Sequence, residues 1–157
     1  MPDMLHRIGI KSSVDKVYPA LSEASGLAGW WTKNVQASPK VGNINQLRFA
    51  DRGFNDMKVV ELVPGRLVKW QCVDGDKEWI GTELTFDRGE ANGVTALPAT
   101  RRLDALRRAV LFAQRGWEKP VEFMHDCSTQ RATYLLSLKS RCETGRGTPY
   151  PDDINIA

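Results

Sequence analysis

The sequence predicts an α+β fold of two layers, a curved antiparallel sheet gripping one long C-terminal helix, with two short helices after the first strand. Three observations carry this. Short runs with strand-like alternation fill the middle of the chain, separated by turn residues. Helical periodicity appears near the N-terminus, where Val14, Val17, Tyr18 and Leu21 fall on one face. From Pro120 to Gly145 no glycine or further proline interrupts a helical pattern, the longest such stretch in the chain.

The elements follow in order. "HRIGIKS" alternates and reads as the first strand. "SSVDKVYPALS" is the first helix, with Ser12 and Asp15 spaced as a capping box. Pro19 lacks the N–H that would bond back to Asp15, so a kink or an early end is expected there. "EASGLAGWW" supplies a second short helical turn. Strands are expected near 33–38, 45–51, 56–63, 66–73 and 77–87, punctuated by Pro39 to Asn43, Asp51-Arg52-Gly53, Pro64-Gly65 and Asp74-Gly75-Asp76. "AVLFAQR" is the last strand. The long helix then starts near Pro120 and stops at Gly145 or Gly147, and a Pro-rich, extended tail completes the chain.

With 157 residues, 41% hydrophobic and 26% charged, the chain is one ordinary globular domain spanning 1–157. No apolar run approaches a membrane span, and the N-terminus lacks a secretory apolar core, so a cytoplasmic location is expected. The net charge of +3 is local. Arg101, Arg102, Arg107, Arg108 and Arg115 stand against Asp104 alone, which argues against a broad nucleic-acid-binding face. Cys72, Cys127 and Cys142 read as free, packed thiols. On one helix Cys127 and Cys142 would lie roughly 22 Å apart, too far to bridge.

Catalytic patterns are sparse. There is no zinc spacing, P-loop or dinucleotide fingerprint, and no metal or cofactor is expected. His125, Asp126 and Cys127 are consecutive on a helix and diverge, so they cannot share one metal or form a nucleophile–base pair. Tyr134 or His125 could still serve as a weak acid or base, which leaves catalysis open.

Several stretches carry a family resemblance: "IKSSVDKVYPAL", "GLAGWWT", "VVELVPGRLVKW", "EWIGTELTFD" and above all "RGWEKPVEFMHDCSTQRATYLLSLKSRCETGRGTPYPDD". Together they resemble the START-like (SRPBCC) superfamily, which shares the helix-grip fold of the birch-pollen allergen. The branch is similar to the C-terminal domain of the activator of the heat-shock-90 chaperone ATPase. The resemblance covers nearly the whole chain and implies a cavity between sheet and helix. It also sets apart an Arg-rich insertion at about 88–108, where relatives usually turn back quickly.

Strand parity, with Glu61 and Glu83 turned to solvent, points Val60, Leu62, Ile80, Thr82, Leu84 and Phe86 inward, together with Leu47, Phe49, Val68, Trp70, Cys72, Val110, Phe112 and Gln114. One helical stripe joins Phe123, Cys127, Arg131, Tyr134, Leu135, Leu138 and Cys142. Most of this is ordinary core. The implied cavity would be lined by Trp31, Phe49, Val60, Trp70, Ile80, Thr82, Leu84, Phe112, Gln114, Phe123, Cys127, Arg131 and Tyr134. Of the adjacent tryptophans, one reading points Trp31 at the cavity and Trp30 at its rim; the other has both clamping the short helices to the sheet. Arg131 leaves three outcomes open: its charge snorkels to water, pairs with an acid such as Glu122, or waits in the cavity for a ligand with Tyr134 and Gln114 as further donors.

Three functions remain. The leading one is binding of a small apolar or aromatic ligand in that cavity. The others are a polyketide cyclase-like or hydrolase-like enzyme using the same cavity, and a protein-interaction module for a chaperone or another protein. The assembly would be a monomer or homodimer, without nucleic acid or stable membrane association.

Overall fold

The computed structural model describes residues 2–88 and 109–156. The strands are β1 (Met4–Gly9), β2 (Val35–Gln36), β3 (Ile44–Arg48), β4 (Phe54–Val63), β5 (Leu67–Gly75), β6 (Glu83–Asp87) and β7 (Ala109–Arg115). Helices α1 (Val14–Ser22) and α2 (Ala24–Ala28) follow β1, and α3 (Glu122–Thr144) closes the chain. The strands form one sheet in the order β1-β7-β6-β5-β4-β3-β2, with every adjacent pair antiparallel. The expected α+β grip is therefore the observed one. The insertion at 88–108 lies outside the described residues apart from Arg88.

Two bulges curve the sheet where β4 meets β5. Met57 pairs with Cys72 although Asp56 pairs with Asp74, and Val59 pairs with Trp70 although Glu61 pairs with Lys69. The extra residues are Val73 and Val60, and each resets the alternation of its strand. Parity counted back from Glu61 therefore fails at Val60. Val59 and Met57 are buried, whereas Val60 is only half-buried.

A second departure comes at Ile80. Residues 77–81 are not strand. Trp79 and Ile80 bond back to the carbonyl of Asp76 in a helical turn, so β6 begins at Glu83. The turn exposes Ile80 (49%) and buries Trp79 (6%), the reverse of the strand expectation.

The core joins Leu47, Met57, Val68, Trp70, Leu84, Phe86, Val110 and Phe112 of the sheet to Tyr134, Leu135 and Leu138 of α3. Each large apolar side chain buried here contributes about 1.5–3 kcal/mol. Helix α1 runs through Pro19 to Ser22, three residues further, and its N-cap is Ser13 with no side-chain cap bond, so the Ser12–Asp15 box does not form. Gly26 lets α2 cross α1 closely, since a Cβ there would collide with the Pro19 carbonyl and the Ala20 Cα. Gly145 (φ 85°) is the left-handed C-cap that ends α3.

Beyond Gly145 the chain folds back along the segment that carries the tryptophans. Ser137 Oγ donates to the Trp30 carbonyl (2.8 Å) and accepts from the Thr148 N–H (2.7 Å). Tyr150 N–H donates to the Trp31 carbonyl (2.8 Å), and Lys33 N–H donates to the Tyr150 carbonyl (3.1 Å). The tail is thus a strap beside Trp30–Lys33.

Candidate site: an aromatic cavity around Arg131

Between the first half of α3, the 76–81 turn and the β3–β4 end of the sheet lies a cavity of about 190 Å³. Its walls are Trp31, Phe49, Arg52, Asn55, Asp76, Trp79, Phe123, Asp126, Cys127, Gln130, Arg131, Tyr134 and Ile156. Six of the thirteen residues expected there are present: Trp31, Phe49, Phe123, Cys127, Arg131 and Tyr134. Trp70, Thr82, Leu84, Phe112 and Gln114 are buried in the core but do not line the cavity. Val60 and Ile80 are displaced by the bulge and the turn.

The adjacent tryptophans are both buried and stack at 5.1 Å between centroids. Trp30 is not at the rim. Its Nε1–H donates to the Ala20 carbonyl at 2.6 Å, which pins α1 to the α2 connection. Trp31 forms the cavity wall and stacks on Trp70 at 5.8 Å. Each of the two readings of this pair thus describes one indole.

Sequence parity missed Trp79. Its Nε1–H donates to the Cys127 sulfur (3.3 Å). Behind it, Thr82 Oγ1 donates to the Trp79 carbonyl (2.6 Å) and accepts from Gln114 Nε2 (3.0 Å). Thr82 and Gln114 therefore position the turn that carries Trp79. The Asp74-Gly75-Asp76 turn signal, followed by two charged residues, was the clue that the strand had not yet restarted.

Arg131 does not snorkel. It is 3% exposed, and its guanidinium carbon sits over three rings: Trp31 (4.4 Å), Phe112 (4.9 Å) and Trp79 (5.1 Å). Nε and Nη1 are buried with no hydrogen-bond partner, and no carboxylate of the described residues pairs with the group. Burial pulls its pKa down to about 10, so the cation persists at neutral pH. Cation–π contact offsets part of the burial cost, at ~2 kcal/mol for a desolvated pair. It offers no hydrogen-bond acceptor.

The surrounding groups are already engaged. His6 Nε2 and Ser128 Oγ are 3.2 Å apart, and burial, reinforced by the Arg131 charge, lowers the His6 pKa. Burial pushes the Cys127 thiol up to about 11, leaving it protonated. Tyr134 donates its hydroxyl to Asp153 Oδ2 (2.9 Å), so it does not serve as a donor beside Arg131. Arg52 grips the same carboxylate with two bonds, 2.8 and 3.1 Å. His125 is exposed and outside the cavity wall. Among the described residues no cluster suited to a metal ion occurs, and no helix is long and apolar enough to cross a membrane.

No protein-family signature and no curated protein matches the chain. Solved structures do. The Aha1 dimer from Colwellia psychrerythraea is 35% identical, with a TM-score of 0.76 over 94% of this chain and all of that one. The protein SSP2350 from Staphylococcus saprophyticus (14% identity, TM-score 0.69, 93% of this chain and 95% of that one) shares the fold. So does DynU16, a protein of the dynemicin biosynthetic locus (14%, TM-score 0.68), over 92% of this chain and 48% of that one. The expected resemblance is thereby established at the level of family: the chain belongs to the Aha1-like branch of the SRPBCC helix-grip proteins.

Proposed function

We propose that this protein binds a small aromatic molecule in the cavity between α3 and the sheet. The observation that carries the reading is the wall itself. Five aromatic rings, from Trp31, Phe49, Trp79, Phe123 and Tyr134, line about 190 Å³ of space whose accessible wall is mainly apolar, with polar side chains such as Arg131, Asp76 and Asp126 beside them. A dry cavity of ~150 Å³ holds benzene, so this one accommodates a single substituted ring. A catalytic reading has less support, because Tyr134 is committed to Asp153 and His125 faces solvent. Binding is tested by titrating the protein with toluene, benzamide and benzoate while following tryptophan fluorescence. Saturable quenching by at least one, lost in a cavity-filling Cys127→Phe variant, is expected. Absence of saturable quenching by all three contradicts the reading.

A second reading concerns assembly. The 35%-identical relative is a dimer, and we infer that this chain pairs with a second copy in the same way. Light scattering should give twice the 17.6 kDa chain mass; the monomer mass at high concentration contradicts it.

A further inference from the structure

We propose that the cavity is selective for a small aromatic monocarboxylate, whose carboxylate is held by the guanidinium of Arg131. This rests on the ligand-binding reading above and adds the chemical class of the ligand.

The argument begins with what Arg131 lacks. A buried cation normally has a carboxylate or several acceptors around it, because an uncompensated charge is costly. Here the guanidinium lies among Trp31, Phe112 and Trp79, with Nε and Nη1 unpartnered. The rings attract the cation but supply no acceptor for its N–H groups. Nε and Nη1 have essentially no accessible surface, so Nη2 is the guanidinium nitrogen that a group in the cavity would meet. A carboxylate brings that nitrogen a charged acceptor and compensates the buried cation. A neutral carbonyl offers one acceptor and leaves the charge uncompensated.

Other groups narrow the class. Arg52 lines the cavity too, but its charge is taken by Asp153 through two hydrogen bonds. Asp76 and Asp126 also contribute to the wall, so a second negative charge on the ligand would be repelled. One carboxylate at the Arg131 end and one ring against the aromatic wall satisfies both constraints.

The test is calorimetric titration with benzoate and with benzamide, which has nearly the same shape without the charge. Wild type should bind benzoate at least tenfold more tightly than benzamide. Arg131→Met should weaken benzoate binding by about tenfold to a hundredfold, the scale of a hydrogen bond to a charged group, and leave benzamide unchanged. Arg131→Lys, which keeps the charge but loses the planar guanidinium, should fall between. Thermal unfolding checks that both variants are folded. Equal affinities for the two ligands in wild type, or undiminished benzoate binding by Arg131→Met, would overturn the carboxylate proposal while leaving the cavity reading intact. Failure of toluene, benzamide and benzoate alike overturns both.

Discussion

Arg131 carries a charge where solvation is poor, and this fixes the sign of its effect on stability. Replacing buried charged groups by apolar ones of similar size is often neutral or stabilising, by 1–4 kcal/mol. Arg131→Met should therefore hold or raise the melting temperature of the ligand-free protein, measured by calorimetry; a fall of many degrees would mean that its ring contacts outweigh the desolvation. The same substitution should raise the His6 pKa, read from its imidazole NMR signals, because the Arg131 charge is one cause of its depression. The sign for stability follows. A histidine whose folded pKa lies below its unfolded value contributes fully above the unfolded value near 6.5, and stability falls as the pH drops below it. The thiols give another residue-scale test. Burial raises the pKa of Cys72 and Cys127 to about 11 and also that of Cys142. All three should react slowly with a thiol reagent at neutral pH and fully after denaturation. Rapid native labelling of Cys127 would contradict its placement. At this scale the sequence placed Arg131 on the inward stripe, but the choice among snorkelling, pairing and waiting depended on Trp79, which parity had assigned to the opposite face.

The C-terminal strap belongs to the element scale. Asp153 is its fastening: its side chain is 2% exposed and accepts bonds from Arg52, Tyr134 and Gln130. Burial alone would raise its pKa, but the bonds from Arg52 and Tyr134 outweigh this and hold it below the usual value. The fastening is therefore complete above the unfolded value near 3.8 and is lost as the pH falls through the lower folded one. Asp153→Ala should cost about 1–3 kcal/mol, the range for leaving buried donors unsatisfied. It should also speed amide exchange at Lys33 and Tyr150, whose N–H groups join strap and tryptophan segment. Unchanged exchange at both would show that the strap is held elsewhere. The sequence revealed the tail only as extended, because Asp153 meets Arg52 and Tyr134 across a large sequence separation. The helices and the last strand were more legible. Val14–Ser22, Ala24–Ala28, Ala109–Arg115 and Glu122–Thr144 all match local signals. The misses at Val60 and Ile80 arose where a bulge or a turn interrupts simple alternation.

On the scale of the whole molecule, the order of elements already implied a grip, since a meander of hairpins leaves one long helix to cover its concave face. The cavity was less legible, because it forms where α3, the 76–81 turn, Trp31 and the strap converge. Among the described residues the β6–β7 ladder already runs from Glu83↔Arg115 to Asp87↔Leu111. We therefore expect deletion of 91–107, with a short turn joining its flanks, to preserve cooperative unfolding, as loop length enters stability only slowly, at ~0.6 kcal/mol per doubling. Loss of cooperativity would place that segment in the core. The central claim is that a cation enclosed by aromatic rings awaits an anionic ring, and the side-chain Nε–H resonance of Arg131 reports on it directly. In a ¹⁵N-labelled protein at neutral pH, benzoate should shift that resonance saturably, and benzamide should leave it nearly unmoved. A resonance that stays in place at benzoate concentrations that saturate the fluorescence change would contradict the account.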